Sequence, residues 1–526
     1  MAERQTFGVT DPDEQRVAGQ SLPRQTGLMS VSAPPGFERS YADELPELNV
    51  DWQPDPVPAP RLLAYNDALA AELDAEGVGL GRAEVDVLAG NRVPDGSSPV
   101  AQAYSGHQFG RFSPQLGDGR ALMLGELVAP DGHRFDVQLK GSGRTPFARG
   151  GDGRAAVGPM LREFVFGEAM HALGVPTTRM LAVVATGDQI RREGMLPGAV
   201  LTRVAASHLR VGTFQFAATR GGPEVTVRLL EHAVRRHHPI AGSHGADDGG
   251  VALAFFSSVV DTQIATVARW MALGFVHGVM NTDNVTISGE TIDFGPCAFM
   301  EAYDPTTVFS SIDHGGRYAY GNQPSITAWN MARLAETLLP LIDDDQDRAI
   351  ELATGVLDGF GDRFHAVWSS EIAAKLGLTP EAVAATTAPD DVDIADRLLG
   401  LFHQHRVDWT SGWRSLSSVL RGDPAAFAEF GETFDAWIAE WLASVDASGE
   451  SRDVVADRID RVNPKFIVRN HLVEAALSAA SDDGDLAPFN ALLDVVTSPF
   501  DEQSGHERYG LPAPDDAPRH VTYCGT

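Results

Sequence analysis

The chain has 526 residues, 43% of them hydrophobic, enough to bury a large core in two or three domains or in one large two-lobed body. Its formal charge of −31 opposes phosphate-backbone binding, so nucleic acid is not expected as a partner and the acidic excess reads as an aid to solubility. No apolar run reads as a membrane span, Met1 to Ser30 lacks a secretory apolar stretch, and Cys297 and Cys524 are too few for a disulfide framework or a four-cysteine zinc site; a cytoplasmic protein with no membrane partner is expected.

Residues 1–90 are rich in proline and acidic residues, with a short helical patch from Ala64 to Leu73, and read as an N-terminal extension on the main body. From Tyr104 to Arg154 glycine is dense, in Gly117-Asp118-Gly119-Arg120, Gly141-Ser142-Gly143 and Gly150-Gly151-Asp152-Gly153-Arg154. Glycines let backbone amides approach a phosphate and arginines add fork-shaped donors, although tight turns between strands use the same letters. Between the first two clusters, Phe135 to Lys140 alternates as a strand does. Lys140 is one of three lysines, with Lys375 and Lys465, and an ammonium at a strand end suits a nucleotide phosphate.

Pro159 to Leu173 fits a helix that stops at Gly174-Val175-Pro176. Glu163, placed in its first turn, either pairs with Lys140 or complements the helix dipole. Strands are predicted at Met180–Thr186 and Ala199–Val204, completing a glycine-rich strand lobe over residues 91–250. Arg203 and Arg210 share one face if their segment is helical, and such a pair suits distal phosphates; singly, each also reads as a surface arginine.

Beyond residue 250 the pattern turns helical, and Ile264, Val267, Ala268, Met271 and Leu273 predict a core helix ending near Gly274. From His277 the chain reads His-Gly-Val-Met-Asn-Thr-Asp-Asn-Val-Thr-Ile-Ser-Gly-Glu-Thr-Ile-Asp-Phe-Gly. In the H-x-D-x-x-x-x-N loop of protein kinases the Asp orients the attacking hydroxyl and the Asn holds a metal; those slots are here Val279 and Asn284. Valine accepts no proton, yet Asp283 directly precedes Asn284, and Asp293 opens Asp-Phe-Gly. The run Val285–Ile287, the turn Gly289-Glu290 and the return Thr291-Ile292 predict a tight hairpin that gathers Asp283, Asn284 and Asp293 around Mg²⁺. Further helices are predicted at Thr327–Ile342, Asp345–Leu357, Val392–His405 and Phe427–Val445, within a helical C-lobe over residues 251–481. Residues 482–526 read as an acidic tail rich in proline and glycine that carries Cys524.

Tyr104-Ser105-Gly106-His107-Gln108-Phe109-Gly110, Gln138-Leu139-Lys140-Gly141-Ser142-Gly143 with Thr145-Pro146-Phe147, Ser207-His208-Leu209-Arg210-Val211-Gly212, Met280-Asn281-Thr282-Asp283-Asn284 and Asp293-Phe294-Gly295-Pro296 together closely resemble the selenoprotein O family. Asn463-Pro464-Lys465 with Arg469-Asn470 extends the resemblance over most of the chain. It implies an α+β, protein-kinase-like two-lobed fold that binds ATP in a flipped orientation and transfers AMP to Ser, Thr or Tyr hydroxyls of proteins, with UTP as the donor for some relatives. It implies Asp283 as general base, Asn284 and Asp293 as ligands of Mg²⁺ or Mn²⁺, and Lys140 with Glu163 as an ion pair. Gly117, Gly119, Arg120, Asp152, Gly153, Arg203 and Arg210 match its nucleotide contacts. It also implies a redox bridge between Cys297 and Cys524, although this chain ends Cys-Gly-Thr where many relatives end Cys-Ser-Ser or carry selenocysteine.

Two other functions use the same residues. One is a kinase that moves the γ-phosphate, with Asp283 replacing the missing loop Asp. The other is a nucleotide-binding regulator without chemistry, to which Val279 points.

Overall fold

Alternation in Arg134–Lys140 puts Val137 and Leu139 on one side of the strand and Asp136, Gln138 and Lys140 on the other. Around that strand a computed structural model of the protein, describing residues 36–243, 250–386, 392–423, 425–514 and 516–523, builds an eight-stranded antiparallel sheet. Its order is Asn49–Asp51, Val100–Gln102, Ala121–Val128, Arg134–Lys140, Met195–Ala205, Arg179–Arg191 and Arg61–Tyr65, with Ala155–Ala156 paired to Met195–Ala205. Both edge strands come from residues 1–90, and the helix expected from Ala64 starts at Asp67, where the Asn66 side chain accepts from Leu69 N.

Val137 and Leu139 join a buried layer with Leu69, Leu73, Leu80 and Leu88. On the other side of the sheet the helix Val157–Ala172 buries Met160, Leu161, Phe164 and Val165 against Met180, Val183 and Leu201. This helix starts two residues before Pro159. Glu163 therefore lies in its second turn, beyond the reach of a first-turn dipole effect.

The rest of the chain is mainly helical. The helix Gly250–Ala272 is long and apolar enough, by length and composition, to cross a membrane, contrary to the expectation that no run reaches that length. Its apolarity is used inside the protein: Phe255, Phe256, Val259, Val260, Ile264 and Val267 are all buried. Helices Gln323–Ile342, Gln346–Asp358 and Ile394–His405 lie where periodicity placed them. The helix expected over Phe427–Val445 is instead a 3₁₀ segment and the helix Glu432–Asp446, separated by Gly431 at φ 74°. Trp409, Trp413 and Trp441 are fully buried in the core of this helical region. Residues expected as tail contain the helix Ala487–Val496, whose Phe489 ring meets Phe164 at 6.2 Å.

The expected hairpin after Asn284 does not form as paired strands. Val285 O accepts from Val211 N and Ile287 N donates to Leu209 O, both at 2.9 Å, while Thr291 N donates to Pro176 O at 2.9 Å. Each arm pairs with a distant segment because its β-branched side chains are buried and its backbone groups need partners there. The turn itself carries Glu290, whose two carboxylate oxygens accept from Ala206 N at 3.1 and 2.9 Å. Burial, with the Asp136 charge adding to it, pushes Glu290 up to about 7 from 4.5. A carboxyl raised on folding stabilises the protein below the unfolded value and loses that contribution as pH rises through the folded one. Denaturant unfolding of wild type and Glu290→Gln should therefore diverge between about pH 5 and about pH 7, the wild type losing up to about 1.4 kcal/mol per pH unit relative to the variant. A difference that does not change with pH would refute this assignment.

Candidate active site

The period of two in Arg134–Lys140 aims Lys140 off the same side of the sheet as the helix Val157–Ala172. There Lys140 Nζ donates to both oxygens of Glu163, at 3.0 and 2.7 Å, and to Asp293 Oδ1 at 2.7 Å. Arg203, directly across the ladder from Gln138, donates from Nη1 to Glu163 Oε1 at 3.1 Å and to Asp293 Oδ1 at 2.8 Å, and from Nη2 to Gln138 Oε1 at 2.6 Å. Arg210 Nη1 spans the backbone oxygen of Asp283 at 2.7 Å and Asp293 Oδ2 at 3.3 Å. The two ends of the expected hairpin thus meet through one guanidinium.

Arg203 and Arg210 do not share a helix face. Arg203 lies on the strand Met195–Ala205, and Arg210 is the extended residue that precedes the helix Val211–Phe216. They converge because the chain bends between them, not through a 3.6-residue period.

Burial alone would raise the Asp293 pKa, but Lys140, Arg203 and Arg210 outweigh it and hold the carboxyl well below the usual range. Asp293 also adopts φ 63°, in the left-handed region that costs an ordinary side chain energy and is tolerated best by Gly, Asn and Asp. Asp283 behaves oppositely. Burial pushes it up to about 6 from 3.8, with Arg210 pulling the other way. Its Oδ2 has only a long 3.5 Å contact from Gln108 Nε2, and its Oδ1 is buried with no hydrogen-bond partner.

A short hairpin, Gly106–Gln108 with Arg111–Ser113, covers Asp283. His107 N donates to Thr282 Oγ1 at 2.7 Å and Phe109 N to Asn281 Oδ1 at 3.0 Å. A Cβ on Gly106 would lie 2.5 Å from Asp283 Oδ1, so only glycine permits this approach. Two of the sequence motifs, around Tyr104–Gly110 and Asn281–Asn284, are therefore two sides of one contact.

Asn284 donates from its side-chain amide to Val279 O at 3.0 Å, which leaves its Oδ1 for another ligand. Among the described residues no three His, Cys, Asp or Glu side chains form a metal cluster. Asn284 and Asp293 nevertheless offer hard oxygens of the kind Mg²⁺ and Mn²⁺ take, and Asp293 Oδ2 has only the 3.3 Å Arg210 contact. The donor set fits such a cation.

Most of the other residues singled out in the sequence have their own partners. Arg120 is drawn on by the Glu163 and Asp293 charges, although burial lowers its pKa. Gly117 and Gly119 allow close packing on Phe147, and Gly153 allows Gly143 to approach within the space a Cβ would fill. Asp152, expected as a nucleotide contact, pairs with Arg192 at 2.7 Å. Cys297 is fully buried, its thiol pushed up to about 12 by burial, and Cys524 lies outside the described residues. Arg469 and Asn470 serve the fold: Arg469 pairs with Asp408 at 2.7 Å, and Asn470 donates to Phe299 O at 2.9 Å.

Sequence reasoning missed Asp118 and Gln138. Gln138 Nε2 donates to Asp118 Oδ2 at 3.0 Å, so these two extend the network behind Arg203. The signal was available in the alternation that puts Gln138 on the Lys140 face.

Curated relatives extend along nearly the whole chain. The Protein nucleotidyltransferase YdiU of Mycobacterium sp. (strain KMS) is 56% identical over 492 residues, covering 92% of this chain and 98% of the relative. Proteins of the same name from Mycolicibacterium smegmatis and Cereibacter sphaeroides (strain ATCC 17029) are 54% and 52% identical, covering 92% and 93% of this chain and 97% and 99% of their own. Residues 36–497 match the family model Protein adenylyltransferase SelO, and the chain belongs to that family.

Proposed function

We infer that this protein transfers AMP from ATP to a Ser, Thr or Tyr hydroxyl of another protein, with Asp283 accepting the hydroxyl proton. The observation that carries the assignment is the buried Asp283 Oδ1, which has no partner although its neighbour Arg210 is bound to Asp293. A poised oxygen of that kind, on a carboxyl at about 6, suits a general base at neutral pH. Val279, where a protein kinase carries its proton acceptor, offers none. A protein-kinase-like arrangement is supported by the strand Lys140 paired to the helix Glu163 beside Asp293.

In the transfer, the acceptor oxygen bonds to the α-phosphorus and the bond from that phosphorus to the β-bridging oxygen breaks. Pyrophosphate leaves and the hydroxyl proton passes to Asp283. Lys140, Arg203, Arg210 and Arg120 supply the positive charge that the departing phosphates need. Asn284 and Asp293 would hold Mg²⁺ or Mn²⁺, which supplies charge stabilisation at the reacting phosphate. Glu163 keeps Lys140 and Arg203 in place. The relatives' name, nucleotidyltransferase, leaves the base open, so UTP is the second donor to compare.

A reversible Cys297–Cys524 disulfide is the regulatory part of this reading. Thr522 Oγ1 donates to Pro296 O at 2.8 Å, so the chain two residues before Cys524 lies beside the residue that precedes Cys297. Exchange with glutathione disulfide would oxidise both thiols and release two reduced glutathiones. The buried Cys297 must first become accessible.

With ATP labelled at either position, the α-label should become protein-bound and the γ-label should appear in pyrophosphate; protein labelled only from the γ-position would make this a kinase. Asp283→Asn should lower transfer by roughly 10²–10⁴-fold while nucleotide affinity in a titration stays within a few-fold; retained transfer would remove Asp283 as the base. Peptide mapping after treatment with glutathione disulfide should recover the Cys297–Cys524 link and lose it on reduction, and its absence under both conditions would end the redox assignment.

A further inference from the structure

Beside the loop that carries Asp283, three elements converge on Arg317. Asp313 accepts from the backbone amides of Arg317 at 2.9 Å and Tyr318 at 2.8 Å, which fixes the turn and occupies both of its carboxylate oxygens. Tyr318 in turn donates its hydroxyl to Asn281 Oδ1 at 2.6 Å, two residues before Asp283. The covering hairpin contributes Gly110, where a Cβ would lie 3.6 Å from the Arg317 Cζ. The helix Gln323–Ile342 contributes Trp329, over whose ring the Arg317 guanidinium sits at 4.7 Å, and Arg333 lies over the same ring at 5.3 Å. His107 meets Trp329 edge-on at 5.3 Å.

The two arginines differ in their partners. Arg333 is paired to Glu336 at 2.8 Å. Arg317 has no ion pair among the described residues; it donates a side-chain hydrogen bond to Tyr318, while its Nε and Nη2 are shielded from water with no hydrogen-bond acceptor. Leaving charged donors without an acceptor costs more than an average hydrogen bond returns, and in native structures such groups call for an explanation such as an absent ligand. Aromatic stacking sets the guanidinium plane, and an incoming carboxylate would replace the cover that now shields its Nε–Nη2 edge. In a chain of net charge −31, a cation without a carboxylate partner beside the catalytic loop is complementary to an acidic visitor.

We propose that Arg317, seated on Trp329, is a specificity-determining residue that takes an Asp or Glu carboxylate lying close in sequence to the acceptor hydroxyl of the protein substrate. This rests on the adenylyl-transfer reading above. That reading assigns no task to Arg317, Trp329 or Arg333, and the nucleotide-facing cations Lys140, Arg203 and Arg210 are separate residues with their own carboxylate partners.

The test uses the full chain with Mg²⁺, α-labelled ATP and a native whole-cell protein extract, followed by mass mapping of the modified hydroxyls. A peptide made from the best site is then compared with its Glu→Gln and Glu→Lys versions. The wild type should show Asp or Glu enriched beside modified hydroxyls and about a tenfold rise in peptide KM for the Gln version, with KM for ATP unchanged. Arg317→Ala should remove the difference between the peptides, Arg317→Lys should keep part of it, and Arg317→Glu should favour the Lys version. Ratios between peptides cancel any loss of folded enzyme. Modification without acidic bias, bias that survives in the Ala and Glu variants, or a variant effect on KM for ATP instead of peptide would each overturn the proposal alone. Absence of α-label from every protein would overturn the transfer reading and this proposal with it.

Discussion

One carboxylate organises the molecule. Asp293 sits where a strand lysine, a strand arginine and a loop arginine point at the same two oxygens. Charges removed from water are costly unless each is paired and hydrogen-bonded, and loss of one partner leaves the others exposed to that cost. The register between Arg134–Lys140 and Met195–Ala205, the tilt of the helix that carries Glu163 and the path of the chain into Asp-Phe-Gly are therefore coupled. None can shift without separating a buried charge from its partner.

That constraint explains the difference between the two acids of the candidate site. Asp293 is surrounded by three cations and stays ionised, which suits a group that holds charge in place. Asp283 is shielded by the Gly106–Ser113 hairpin and has one oxygen without a donor, which suits a group that must gain and lose a proton. Two carboxyls ten residues apart acquire different chemistry from their surroundings alone. Arg210 touches both and ties their positions together.

The same economy appears in the motifs that look unrelated in the sequence. Ser105 N donates to Gly212 O at 2.9 Å, and a Cβ on Gly212 would lie 2.2 Å from Ser105 O. The glycine is needed because two backbones touch there. Asn281 collects one donor from the hairpin and one from Tyr318, so the loop before Asp283 is held from both sides. The turn that carries Arg317 is anchored in the same way, its backbone amide donating to Asp313 at 2.9 Å.

Periodicity and residue chemistry determined a good deal without any structure. The alternation at Arg134–Lys140 fixed which side Lys140 occupies, the apolar spacing before Gly274 located the long core helix, and the order Asp283, Asn284, Asp293 marked the segment on which the candidate site is built. These features follow from local geometry, in which a period of two or of 3.6 decides where neighbouring side chains point. Tertiary structure decided everything that depends on distant partners. Arg203 and Arg210 meet at Asp293 from a strand and a loop, not along a helix; the arms flanking Glu290 bond to Leu209, Val211 and Pro176 instead of to each other; and Gly106 is essential only because Asp283, far along the chain, lies against it. Backbone groups and buried charges take the partner that satisfies them in the packed state, and a one-dimensional pattern carries no record of which distant segment that partner will come from.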